Sequence, residues 1–157
     1  MQDDTWTWIS GSNAVNDQGV YGEKNVPSTD YCPESRSNFA AWYDSKTQEF
    51  WIFGGLGISN GARFVRINNR PVICGLPTAN VEMLNDLWRY RLKDNTWTLI
   101  SGNNTHELRG NYGEKGVPST ENYPGARDRP VAWYDGSLGE FWLFGGYGID
   151  SDGEEGA

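Results

Sequence analysis

Side chains able to do chemistry are scarce in this chain, and their scarcity bounds what it does. Of 157 residues one is histidine, His106, and two are cysteines, Cys32 and Cys74. A Ser-His-Asp or Cys-His relay would have to use His106, and nothing in the residues around it marks a partner. It reads as a solvated loop histidine. Two cysteines are too few for a disulfide framework or a thiolate zinc site. They are either two unpaired thiols or one bridge made in an oxidising compartment. Asp150-x-Asp152-Gly153-Glu154 sets oxygens at alternating positions, as a calcium loop begins, but the closing bidentate Glu and the flanking helices are missing. The glycines end apolar runs instead of opening helices, so no phosphate-binding loop is formed. The expectation is a chain that is not an enzyme, with no cofactor and no metal.

Charge narrows the partners. The formal net charge is −8, from 13 basic and 21 acidic residues. Such a surface repels phosphate backbones and anionic membranes, which argues against nucleic acid. No apolar run reaches the roughly 20 residues that span a bilayer. The opening Met1-Gln2-Asp3-Asp4 has neither a basic nor an apolar signal region. The compartment stays open.

Three groups could bind a ligand. Tyr21-Gly22-Glu23-Lys24 returns as Tyr112-Gly113-Glu114-Lys115, so Tyr21, Lys24, Tyr112 and Lys115 could touch a partner, or each motif could fold its own loop back. Arg36 and Arg127 could hold an anion in a guanidinium fork, or tie loops together through backbone carbonyls. Arg63, Arg66 and Arg70 lie in a stretch, 59–84, with no acidic residue before Glu82, and could meet an acidic partner or belong to a solvated loop.

The elements that must position these groups follow from an internal repeat. Residues 3–58 align with 94–149 at a constant offset of 91 without a gap, and 31 of the 56 positions are identical. The shared text runs TWT-x-ISG, YGEK-x-VPST, a single Arg, AWYD, then EFW-x-FGG-x-GI. Two copies of one supersecondary unit are present. With 20 Gly, 8 Trp and 8 Tyr, the composition favours strands and tight turns. EFWIFGG (49–55) and EFWLFGG (140–146) read as buried strands stopped by paired glycines, and Asp86 to Leu92 alternates. No stretch has helical periodicity with caps. The chain is expected to be all-β.

Gly54-Gly55 after an apolar strand, then Tyr90, then Trp97, with Pro33 to Arg36 and Pro124 to Arg127 ahead of the following strands, resembles the kelch repeat. Gly145-Gly146 repeats the paired stop. The resemblance implies a partial kelch-type β-propeller of the galactose-oxidase central-domain kind, built of four-stranded antiparallel blades. In that frame 37–101 is one complete blade with an insert at 59–84. Residues 3–10 are the outer strand of a preceding blade, and 129–146 are the inner hairpin of a following one. The tryptophans Trp42, Trp51, Trp133 and Trp142 are expected between blades.

Antiparallel order puts the long loops 11–36, 56–85 and 102–128 on one face. The functional expectation is therefore a non-catalytic scaffold that recognises a protein or a glycan through that face. The alternative is a piece of a propeller-containing enzyme, such as a galactose-oxidase-like oxidase, whose catalytic residues lie elsewhere. A set of about two blades leaves strand edges unpaired, so further blades or self-association are expected.

Overall fold

The computed structural model describes residues 4–58 and 81–157 in full, and the backbone of 64–67 and 70–73. The described residues form an all-β structure without a helix. Its centre is a four-stranded antiparallel sheet of β1 (Ala40–Asp44), β2 (Glu49–Ile58), β5 (Val81–Arg91) and β6 (Thr96–Ser101), in the order β1-β2-β5-β6. The strand at 49–55 thus lies between β1 and β5. Tight turns at 45–48 and 92–95 make the hairpins, with Gln48 (φ 58°) and Asn95 (φ 55°) in the left-handed region.

The second copy repeats the first hairpin as β8 (Val131–Asp135) and β9 (Glu140–Phe144). Its register matches to the residue: Trp42 faces Trp51 in the first copy and Trp133 faces Trp142 in the second. Three short strands complete this copy, β7 (Arg127–Asp128), β10 (Tyr147–Ile149) and β11 (Glu155–Gly156), in the order β11-β10-β7.

The stretch 59–84, expected as a loop, ends as strand, since β5 begins at Val81. Beyond the paired glycines, β2 continues to Ile58 and pairs Gly55 with Leu84, Leu56 with Met83, Gly57 with Glu82 and Ile58 with Val81. The glycines are a bulge and not a stop. On either side of it Phe53 faces Leu87 and Gly55 faces Leu84, so Gly54 alone opposes both Asn85 and Asp86. Gly54 and Gly55 take φ of 62° and 94°, a conformation that glycine alone adopts without strain. Within the stretch, β3 (Phe64–Ile67) and β4 (Arg70–Ile73) form a separate hairpin. Apolar and β-branched residues dominate both, which suits pleated backbone.

Residues 4–9, expected as a strand, carry no ladder, and Trp6 and Trp8 are largely exposed. A strand needs a partner, and among the described residues none pairs with this segment. Ser10, which follows it, is held by a side chain: the Trp97 indole donates to Ser10 Oγ at 3.0 Å. The outer edge of β6 is instead covered by the first long loop, where Ser28 and Trp97 exchange backbone hydrogen bonds.

The core lies between the two copies. Ala40, Trp42 and Phe53 are buried against Trp51, Leu87, Ala132, Tyr134 and Leu143. The Trp42 indole donates to the carbonyls of both Trp133 (3.1 Å) and Trp142 (3.2 Å), so one side chain ties the central sheet to the backbone of the second hairpin. The four tryptophans divide between two surroundings. Trp42 and Trp51 pack against the second copy, whereas Trp133 and Trp142 stack on each other and stay about half exposed, because among the described residues nothing covers their face.

Candidate binding site

The bulge at Gly54 sets the geometry of the site. Two adjacent residues of β5 face a single glycine, and their side chains serve different ends. Asp86 is fully buried and accepts from four donors: Arg36 Nη1 on Oδ1 at 2.5 Å, and Arg36 Nη2 (2.7 Å), the Tyr21 hydroxyl (2.6 Å) and the Trp88 indole (2.7 Å) on Oδ2. Arg36 also donates to the carbonyls of Glu34 and Gly54. Burial opposes the charge on Arg36, but the hydrogen bonds and field of Asp86 outweigh it, and its pKa ends above the ordinary value. Burial, then the Asp86 charge, raises the Tyr21 hydroxyl far enough to keep it protonated. Tyr21 lies edge-on to Trp88 at 5.0 Å. A buried, fully hydrogen-bonded ion pair thus clamps the first long loop to β2 and β5.

The second copy builds most of the same clamp. Arg127 donates to the Gly125 carbonyl (3.1 Å), the Gly145 carbonyl (2.8 Å) and the Tyr112 hydroxyl (2.7 Å). These partners stand 91 positions after Glu34, Gly54 and Tyr21. The loops fold alike as well: Val20 bridges Cys32 in one, and Asn111 bridges Tyr123 in the other.

His106 is not a solvated loop residue. Its side chain is mostly buried, with Nε2 at 3.1 Å from Glu34 Oε1 and Nδ1 at 3.5 Å from Glu82 Oε2. The hydrogen bond to Glu34 raises its pKa despite burial, with the charges of Glu34, Glu82 and Asp86 acting in the same direction. A cavity of about 200 Å³ opens beside it, lined by Gln18, Gly19, Tyr21, Glu34 and Asn104. The partners escaped sequence reading because one lies 72 residues before the histidine.

A cavity of about 650 Å³ runs between the two copies beneath the second long loop. Trp42, Phe53, Tyr123 and Phe141 supply its aromatic walls, and Lys24, Asn85, Asn103 and Asn122 its polar groups. Asn85 Oδ1 is buried there with no hydrogen-bond partner among the described residues. An unpaired buried acceptor costs free energy, on the order of 1–3 kcal/mol, unless a donor reaches it.

The candidates from sequence therefore divide. Tyr21 and Tyr112 sit in the arginine clamps with Arg36 and Arg127. Lys24 lines the large groove, while Lys115 is exposed at the far end of the second loop. Arg66 and Arg70 fall on the β3–β4 hairpin as backbone positions, and Arg63 lies outside the described residues. Cys32 is half-buried on the first long loop, but Cys74 lies outside the described residues, and with it the proposed bridge. Tyr90 packs on Trp97 at 4.9 Å, and Trp51 on Phe141 at the same distance. Sequence reading missed Asp86 and Asn85. An Asp in an otherwise apolar, alternating strand, in a chain with an arginine awaiting a partner, was the available signal.

No protein-family model matches the chain, and no curated protein matches its sequence.

Proposed function

We propose that this chain is part of a kelch-type β-propeller and acts as a non-catalytic scaffold that binds a protein or a glycan on its long-loop face. The reading is supported chiefly by the groove between the copies. It lies under the long loops, and aromatic faces and amide side chains converge in it, as in sites that hold a ligand by stacking and a few placed hydrogen bonds. The orphaned Asn85 Oδ1 would accept from a hydroxyl or amide of such a ligand. A rigid sheet with variable loops at one end is the usual platform for recognition.

The test is to screen the 157-residue chain against immobilised oligosaccharides and a peptide library, then repeat with Lys24→Ala and Tyr123→Ala. The proposal expects a ligand whose binding falls with both substitutions while the fold, followed by tryptophan fluorescence, is kept. Absence of any ligand, or binding indifferent to both changes, would sink it.

A further inference from the structure

Three segments meet at His106. The histidine stands in the second long loop, and its two ring nitrogens face carboxylates of two other elements. Nε2 lies 3.1 Å from Glu34 Oε1 on the first long loop, and Nδ1 lies 3.5 Å from Glu82 Oε2 on β5. These contacts do not belong to the framework that the two copies share, because Val15 and Gly125 hold the positions 91 residues from His106 and Glu34.

The ring makes this junction depend on one proton. A charged imidazolium has an N–H on each nitrogen and serves both carboxylates. A neutral imidazole has one N–H, and its other nitrogen turns a lone pair toward an anion. The Glu34 side chain is only 3% exposed, so water does not readily replace a lost donor. Of the other groups around the ring, Asp86 on β5 adds negative field but is matched by Arg36, and Tyr21 keeps its proton. Glu107, next in the chain, adds a carboxylate whose own pKa burial raises.

The histidine holds a short length of chain. Glu107 N–H donates to the Met83 carbonyl (2.9 Å), and Met83 N–H donates to Glu107 Oε1 (2.6 Å). The next tie, from Ala126 N–H to the Leu108 carbonyl at 2.8 Å, stays within the second loop. Segment 103–108 carries Asn103 and Leu108, which wall the cavity between the copies, and Asn104, which with His106 walls the smaller one.

We infer that His106 is a proton-operated latch: charged, it holds segment 103–108 closed on the first long loop and β5, and on losing its proton it frees that segment and opens a wall of the groove between the copies. The release stands on these contacts alone, and only its effect on a ligand rests on the groove being the binding site. The direction follows from the Glu34 hydrogen bond, which raises the folded pKa above the ordinary 6.5. The latch is closed below pH 6.5 and opens as the pH rises through the folded value.

The experiment follows amide hydrogen exchange of the whole chain by NMR from about pH 5.5 to about pH 8.5, with the intrinsic rise in rate divided out. The imidazole pKa is read in the same samples, and His106→Gln is run beside the unaltered chain. Protection of the Glu107 amide should fall about tenfold per pH unit between 6.5 and the imidazole pKa, and should lie far below that of the β2 amides throughout. His106→Gln should show no such step, which separates the histidine from Glu107, whose change starts from 4.5. Flat protection, protection equal to that of β2, the same fall in His106→Gln, or an imidazole pKa at or below 6.5 would each overturn the inference. The unaltered chain decides by its own protection and pKa even if His106→Gln fails to fold. No ligand is added, so the outcome is independent of the groove screen.

Discussion

Arg36 and Asp86 stand 50 positions apart and meet in a two-pronged ion pair, with side chains 3% and 0% exposed. The carboxylate also holds the Tyr21 hydroxyl and the Trp88 indole, so one residue joins the first long loop to the middle of the sheet. Removing one partner of such a pair leaves the other charged and buried, which typically costs about 3–5 kcal/mol. Asp86→Ala should lose about that much in urea denaturation. A loss below about 1 kcal/mol would mean that the clamp does not hold the fold.

Gly54 and Gly145 form a matched pair. Both have left-handed backbones, with φ of 62° and 65°. A Cβ at Gly54 would meet Leu84 O at 2.9 Å and Arg127 O at 3.0 Å, whereas one at Gly145 meets nothing within 4 Å. Gly145→Ala should therefore cost only the conformational penalty, about 1–2 kcal/mol. Gly54→Ala should cost clearly more, because backbone must shift as well. Equal losses would show that the close approach at the bulge is not tight.

His106 should make stability depend on pH. Its folded pKa is raised, first by the Glu34 hydrogen bond, from an ordinary 6.5. The folded chain therefore binds the proton more tightly than the unfolded one. The contribution is fully present below pH 6.5 and is lost as the pH rises through the folded pKa. Melting temperature should fall across that window in the unaltered chain and change less in His106→Gln. Identical profiles for both would remove the histidine as the cause.

Trp42 and Trp142 occupy different surroundings in the same fold. Trp42 is buried and bonded to two carbonyls of the second copy, and Trp42→Ala should cost about 3–5 kcal/mol. Trp142 is 45% exposed, and Trp142→Ala should cost markedly less. Similar losses would mean that the face of Trp142 is covered in solution.

Among the described residues β9 pairs with β8 alone, and its other edge should drive association. Phe141, Trp142 and Phe144 lie on it at 37%, 45% and 71% exposure. Light scattering should show oligomers that grow with concentration, and Phe144→Lys should reduce them, since a charge on an edge strand opposes pairing. A monodisperse monomer at all concentrations would show that the edge is protected.

The sequence by itself determined the class of structure and its repetition. The 91-residue offset and the apolar runs were enough to set strands at 49–55, 86–92 and 140–146, because alternation and turn residues act over a few neighbours; the four-stranded antiparallel arrangement was what the resemblance implied. The paired glycines were visible as an interruption, but whether a strand stops or bulges there depends on what lies across from it. That partner, Asn85 and Asp86, is some thirty residues away.

Only the tertiary structure decided the pairings of charge: Arg36 with Asp86, and His106 with Glu34 and Glu82. Such contacts span 50 and 72 residues, and no local spacing encodes them. It also decided that two identical loop motifs end in different surroundings. Arg36 and Arg127 hold the same place in the repeat, and what sets them apart among the described residues is a strand, β5, that lies beside the first and has no counterpart beside the second.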